Sequence, residues 1–225
     1  MAASISTHET PLADWVEFFK KTNRNIFNQC MGNRRLLELI FDHTPKQGRV
    51  LEAGCGTALL SVILADCGFK VTALDYTQEI LDYARQRVTL NGADLSFVRG
   101  DILKLSELFA PKHFDTICHS GVMEHFSDQD IVTSLIEQRK VSQRVIFSIP
   151  NHRNTLKPGH FGNERFMNNG QWRTLITAAG FTDCAVYGGY DLPKAYHLVL
   201  PGALFHRKLS FWWKWASSHS IFVCQ

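Results

Sequence analysis

The chain predicts an α/β fold, a mostly parallel sheet wound with helices on both faces, and three observations carry that prediction. From about residue 50 onward, short apolar runs alternate with longer runs whose apolar residues recur at helical spacing, the pattern of strands buried between crossover helices. The segment Val50-Leu51-Glu52-Ala53-Gly54-Cys55-Gly56-Thr57-Ala58 passes from a strand pattern through two glycines directly into an apolar helix pattern. The missing Cβ atoms let such a turn bend sharply and approach a ligand closely. Acids then recur at three successive strand ends, as Glu52, Asp75 and Asp101.

The elements follow in order. Residues 1–46 read as a helical cap: Trp15, Phe18, Phe19, Ile26 and Phe27 recur at helical spacing among basic residues, predicting one amphipathic helix, and a second spans about 34–41 after Gly32. Residues 47–150 form the core, with the first strand at 50–53 and its helix at 57–67, stopped by Gly68. A strand at 70–74 ends at Asp75, and Thr77 is placed to cap a helix whose inner face is Ile80, Leu81, Ala84 and Val88. Strands at 95–99 and 114–119 follow; Ser127 caps a helix running to about Lys140, and a fifth strand at 145–149 ends at Pro150. Residues 151–169 are polar and rich in Asn, Gly and His, which marks a loop, before a helix at 172–179, a strand at 182–188, a second insertion at 190–218 and a last strand at 221–224.

A chain of 225 residues accommodates one such domain. The net charge of +3 is small and its basic residues are scattered, so no nucleic-acid partner is expected. No basic leader and no apolar run long enough to span a membrane is visible, and the expected location is cytoplasmic. The six cysteines lie far apart without zinc spacing, so they are expected to be reduced core thiols, and no metal site is expected.

Ligands of open parallel sheets bind beyond the carboxyl ends of the strands, where the strand order reverses. That rule selects Glu52, Gly54, Cys55 and Gly56 after the first strand, Asp75 and Tyr76 after the second, Asp101 and Ile102 after the third, and His119, Ser120 and Gly121 after the fourth. Asp75 lies about twenty residues beyond the glycines, the spacing at which a carboxylate accepts both ribose hydroxyls. A phosphate would meet the Glu52 carboxylate as a like charge, whereas a cation or a hydroxyl-bearing ligand would not. The dinucleotide fingerprint also needs a third small residue where Leu59 stands.

With these residues in view, the chain resembles the class I S-adenosylmethionine-dependent methyltransferases over roughly residues 49–225. Residues 51–57 are similar to that family's first motif, 71–75 to its second, 100–102 to its third and 114–126 to its fourth. The resemblance implies a Rossmann-like, seven-stranded sheet in the order 3-2-1-4-5-7-6 with the last strand antiparallel, and S-adenosylmethionine as cofactor. It implies further that the glycine loop lies beside the methionine portion, Asp75 binds the ribose diol, Tyr76 lies against the adenine, and Asp101 and the Ile102 N–H meet the adenine edge. His119, Ser120 and Gly121 would line the sulfonium.

Methyl transfer from a sulfonium is an in-line displacement that rests largely on positioning. A base assists when the nucleophile carries a proton, and His119, His125 and His152 are the candidates. The alternative is that His119 positions the cofactor and Glu124-His125 is a packed lead-in to the next helix. Specificity is assigned to the residues outside the sheet pattern, namely the N-terminal helix and the two insertions, with Asn151, His160, Glu164, Tyr190 and Tyr196 as further contacts. The motifs of amino-methylating enzymes acting on adenine or glutamine, of arginine methyltransferases and of catechol-type metal sites are missing, which leaves a small metabolite methylated at O, N, S or C. Residues 205–216 carry an aromatic face suited to a packed lid, a homodimer contact or a membrane surface. A non-catalytic binder of the same cofactor on the same fold is the competing reading.

Overall fold

The structure is a computed structural model that describes residues 12–21, 25–88, 93–153, 164–189 and 217–225. Seven strands form one sheet in the order β3-β2-β1-β4-β5-β7-β6. They are β1 (Arg49–Ala53), β2 (Lys70–Asp75), β3 (Leu95–Arg99), β4 (Thr116–Ser120), β5 (Val145–Pro150), β6 (Cys184–Gly188) and β7 (His219–Cys224). Strands β1 to β5 pair in parallel, while β7 runs antiparallel to both β5 and β6. The predicted order and the reversed last strand are therefore both present.

Burial explains which strands lie where. Every residue of β5 is buried and β1 is exposed only at Arg49, as central strands covered on both faces require, whereas the edge strand β3 is no more than half-buried along its length. Helices α4 (Leu59–Asp66) and α3 (Arg34–His43) cover one face, with Leu36, Ile40, Leu60 and Leu64 against Val50, Cys118 and Ile146. Two helices cover the other face: α7 (Asp128–Val141) and α8 (Asn169–Ala178) bury Leu135, Trp172 and Ile176 against Val145, Phe147 and Phe222. Each such fully buried side chain contributes roughly 1.5–3 kcal/mol.

Local signals fix the helix starts. Ser127 Oγ accepts from Asp130 N–H at 3.1 Å, as predicted. A reciprocal pair, Asn168 with Gln171, begins α8 three residues before the predicted start. Thr77 precedes α5 (Gln78–Arg87) but its side chain caps nothing; its N–H donates instead to Asp75 Oδ1. The single N-terminal helix predicted from Trp15 to Phe27 is two helices, α1 (Leu12–Lys21) and α2 (Ile26–Gly32), and Ile26 and Phe27 are exposed. A short helix α6 (Leu105–Leu108), preceded by a 3-10 turn over Ile102–Lys104, was not predicted.

The cysteines also depart from expectation. Cys184 and Cys224 stand opposite each other in the β6–β7 register and form a disulfide, while Cys30, Cys55, Cys67 and Cys118 are free. Among the described residues no helix is long and apolar enough to cross a membrane.

Candidate active site

The strand order reverses between β1 and β4, so a crevice opens beyond their carboxyl ends. The glycine loop forms its floor. Gly54 and Gly56 have φ of +72° and +51°, in the left-handed region. Ala58 follows at φ +54°, an uncommon conformation for a residue with a Cβ, and leads into α4 without a side-chain cap.

What the loop does with its N–H groups is the informative part. Gly54 and Cys55 both donate to the Leu74 carbonyl, at 2.8 and 2.9 Å, and Ala58 donates to the Cys55 carbonyl at 2.8 Å. Gly56 N–H donates to Asp75 Oδ2 at 3.0 Å. Glu52 reaches under the loop and accepts from both the N–H, at 2.8 Å, and the hydroxyl of Ser61 in the first turn of α4. A phosphate-binding loop turns its N–H groups outward to an anion at the helix N-terminus. Here those N–H groups are spent internally, and a carboxylate already stands where the anion would.

Glu52 is therefore placed differently from expectation. Its side chain is 6% exposed and directed to α4, not to the open side of the loop. Burial raises its pKa to about 8, with the Ser61 hydrogen bonds opposing and Asp75 adding to the rise. Asp75 is buried too, and burial raises its pKa against the pull of bonds from Thr77, Gly56 and Tyr76 N–H groups. Oδ2 accepts from Gly56 N–H and Oδ1 from Thr77 N–H, and since a carboxylate accepts about four bonds in all, Asp75 keeps acceptor capacity for a hydroxyl-bearing ligand. Tyr76, beside it, is 65% exposed. Asp101 Oδ1 accepts from Leu103 N–H at 2.9 Å and so caps the 3-10 turn, while the Ile102 side chain belongs to the core. The Cys55 thiol is buried against Ala58, Ala73, Leu81 and Ala84, and burial holds it protonated.

On the β4 side, Ser120 and Gly121 are exposed at the crevice, and Gly121 has φ +74°. His119 is not there. Period-two alternation in β4 turns it with Ile117 to the α7 face, where it is fully buried and stacked on Phe147 at 5.2 Å. Burial lowers its pKa to about 3, with the neighbouring Gln138 amide opposing, and neither ring nitrogen makes a hydrogen bond of good geometry. A neutral imidazole in an apolar core is not placed to take a proton from a substrate, which corrects its assignment as base and as sulfonium neighbour through its side chain.

His125 is buried in the 3-10 turn Met123–His125, edge-on to Trp15 of α1 at 5.2 Å. His152 is exposed just beyond β5. Asn151, its neighbour, is a brace: its amide donates to Ser217 O and Ser220 Oγ, tying β5 to the start of β7. Helix α1 closes the crevice from above. Trp15 stacks on Phe19, Tyr83 Oη donates to the Phe19 carbonyl, and a Cβ on Gly56 would stand 2.6 Å from Phe19 Cζ. His160, Tyr190, Tyr196 and the aromatic face at 205–216 lie outside the described residues. Ser61 was overlooked in the sequence, although a lone hydroxyl in the run Leu59-Leu60-Ser61-Val62-Ile63 is a visible exception.

Sequence comparison agrees with this geometry. The sequence model of a family described as a methyltransferase domain matches residues 50–144, from β1 through α7 and past the reversal point. Over that stretch the chain is similar to the methyltransferase domain family. Among curated members, a ubiquinone biosynthesis O-methyltransferase from Rickettsia canadensis is 28% identical over 150 residues, covering 60% of this chain and 62% of that one. One of the same description from Vibrio atlanticus is 31% identical over 104 residues, covering 46% and 44%. The chain spans between 25% and 62% of the length of the curated relatives compared. Two solved methyltransferase structures share the fold. One, from Thermotoga maritima, has a TM-score of 0.67 at 16% identity, covering 95% of this chain and 99% of that one. The other, the magnesium protoporphyrin IX methyltransferase of Synechocystis with bound S-adenosylmethionine, has a TM-score of 0.63 at 17% identity, covering 96% and 99%.

Proposed function

We propose that the protein transfers a methyl group from S-adenosylmethionine to a nucleophile on a small metabolite. The inward use of the glycine-loop N–H groups carries this reading, because it leaves a crevice suited to a phosphate-free cation with a ribose diol. Gly54 and Gly56 supply close backbone approach to the methionine portion, and the remaining acceptor capacity of Asp75 takes the diol. Tyr76 and Asp101 border the adenine, with the Ile102 N–H at its edge, and Ser120 and Gly121 border the sulfonium. When bound, the cofactor supplies an electrophilic methyl group.

The chain's own contribution is alignment and exclusion of water. Helix α1 covers the glycine loop through Phe19 and meets the β4 side through Trp15 and His125, which dries the crevice and holds a nucleophile in line. His125 is the better placed of the remaining histidines to receive a substrate proton, with His152 at the outer rim.

Calorimetry with S-adenosylmethionine, then turnover against a metabolite panel, tests the reading. Binding with Asp75→Ala weakening it at least tenfold is expected, followed by formation of S-adenosylhomocysteine with at least one metabolite. No binding, or an affinity indifferent to Asp75, would refute the cofactor assignment; binding without turnover would support a cofactor-binding protein that is not an enzyme.

A further inference from the structure

Two carboxyl groups beyond the end of β4 each keep a buried oxygen that neither the fold nor the proposed cofactor contacts use. Glu124, in the 3-10 turn after β4, is 4% exposed, and its Oε2 has no hydrogen-bond partner. Backbone N–H groups of Glu124 and Val122 bond to the carboxyl group, and Gly121, on the crevice rim, would place a Cβ 3.6 Å from Glu124 Oε1. Glu164 Oε2 is likewise buried without a partner. Arg165 N–H donates to the Glu124 carbonyl at 2.9 Å, so the backbone next to Glu164 runs beside the turn that carries Glu124. Burial pushes Glu124 up to about 7, and the Glu164 charge adds to the rise while His219 opposes it.

Burying like charges with unpaired oxygens is unfavourable unless something supplies the missing donors. Among the described residues none donates to either Oε2. A phenolate or carboxylate ligand would be repelled, and a neutral hydroxyl leaves the charge uncompensated. Among the described residues no group of three His, Cys, Asp or Glu side chains could hold a metal ion. An ammonium group brings three donors and a compact positive charge.

We propose that Glu124 and Glu164 form a subsite for a protonated amine of the substrate, making amines the substrate class. This rests on the methyltransferase reading for its place beside the transferred methyl, but its binding test does not. The intact protein is titrated calorimetrically with benzylamine, phenethylamine and 1,4-diaminobutane, each beside its hydroxyl analogue, with and without S-adenosylhomocysteine. At least one amine should bind tenfold or more tightly than its alcohol, and Glu124→Gln and Glu164→Gln should each reduce that preference at least tenfold. Should Glu124→Gln fail to fold, Glu164→Gln, at a half-buried position, carries the test alone. Equal binding of amines and alcohols, a preference untouched by the variants, or saturable Mg²⁺ binding lost in the same variants would each overturn the subsite. Amine preference without any S-adenosylhomocysteine binding would support the subsite and overturn the methyltransferase reading alone.

Discussion

Glu52 makes the cofactor-free protein lose stability as pH rises through neutrality. Its pKa is about 8 in the folded chain against 4.5 for the free side chain, chiefly because burial penalises the charged form. Between those values the folded protein keeps a proton that the unfolded chain has released, so each pH unit costs about 1.4 kcal/mol of stability. Across the whole interval the loss is on the order of 5 kcal/mol, and over the two units from pH 5.5 to 7.5 roughly half of that, comparable to a large part of a domain's stability. Glu124, raised to about 7, adds a loss of the same sign that ends near pH 7. Urea unfolding of wild type and Glu52→Gln at pH 5.5, 6.5, 7.5 and 8.5 measures it. The amide oxygen can still accept from Ser61, so the variant should fold and its pH dependence should be shallower by roughly 2–3 kcal/mol over the same two units. S-adenosylmethionine should offset the wild-type loss more than S-adenosylhomocysteine, which lacks the positive sulfur. Parallel stability profiles for wild type and Glu52→Gln would refute the reasoning.

Three further outcomes follow from single contacts. Gly56→Ala places a Cβ 2.6 Å from Phe19 Cζ at φ +51°, so a stability loss of about 2–4 kcal/mol in urea and displacement of α1, read from Trp15 fluorescence in a variant lacking the other tryptophans, are expected. His119→Leu removes two unpartnered ring nitrogens from an apolar core, so stability should hold within about 1 kcal/mol; turnover should stay within a few-fold, and a hundredfold loss in a folded variant would restore His119 as a catalytic group. Protein purified without reductant and then denatured should titrate four thiols with a chromogenic disulfide reagent, and six would remove the Cys184–Cys224 bond.

The sheet was readable because its central strands are buried on both faces, so Val50–Ala53 and Val145–Ile149 appear as mainly apolar runs, each broken by a single polar residue (Glu52 and Ser148) and without polar alternation. What was not readable has specific causes. Helix α6 is four residues long, too short to show a helical period. Ile26 and Phe27 continue the apolar phase of Trp15 and Phe19 without sharing their burial, so periodicity alone joined α1 to α2. The Asn168–Gln171 capping pair was written in the sequence, but Trp172 drew the boundary inward. The Cys184–Cys224 pairing depends on the β6–β7 register, which separation along the chain does not reveal.

The three acids at successive strand ends show most clearly how pattern and cause can part. In the sequence Glu52, Asp75 and Asp101 form one set facing one ligand, yet each spends its carboxylate differently. Glu52 holds the first turn of α4 to the end of β1 through Ser61, the work an ordinary N-cap would do had Ala58 a side-chain oxygen. Asp101 gives one oxygen to capping the turn before α6. Asp75 binds Gly56 and Thr77 N–H groups and still has acceptor capacity. The recurrence of acids therefore does point to the crevice, but through two routes: Asp75 as a ligand contact, and Glu52 as the internal acceptor that takes up the Ser61 N–H and hydroxyl in the first turn of α4 and so leaves them unavailable to a phosphate. Glu52→Gln keeps an acceptor for Ser61 and Glu52→Ala removes it, so a loop held by these bonds should keep its shape in the first variant and lose it in the second.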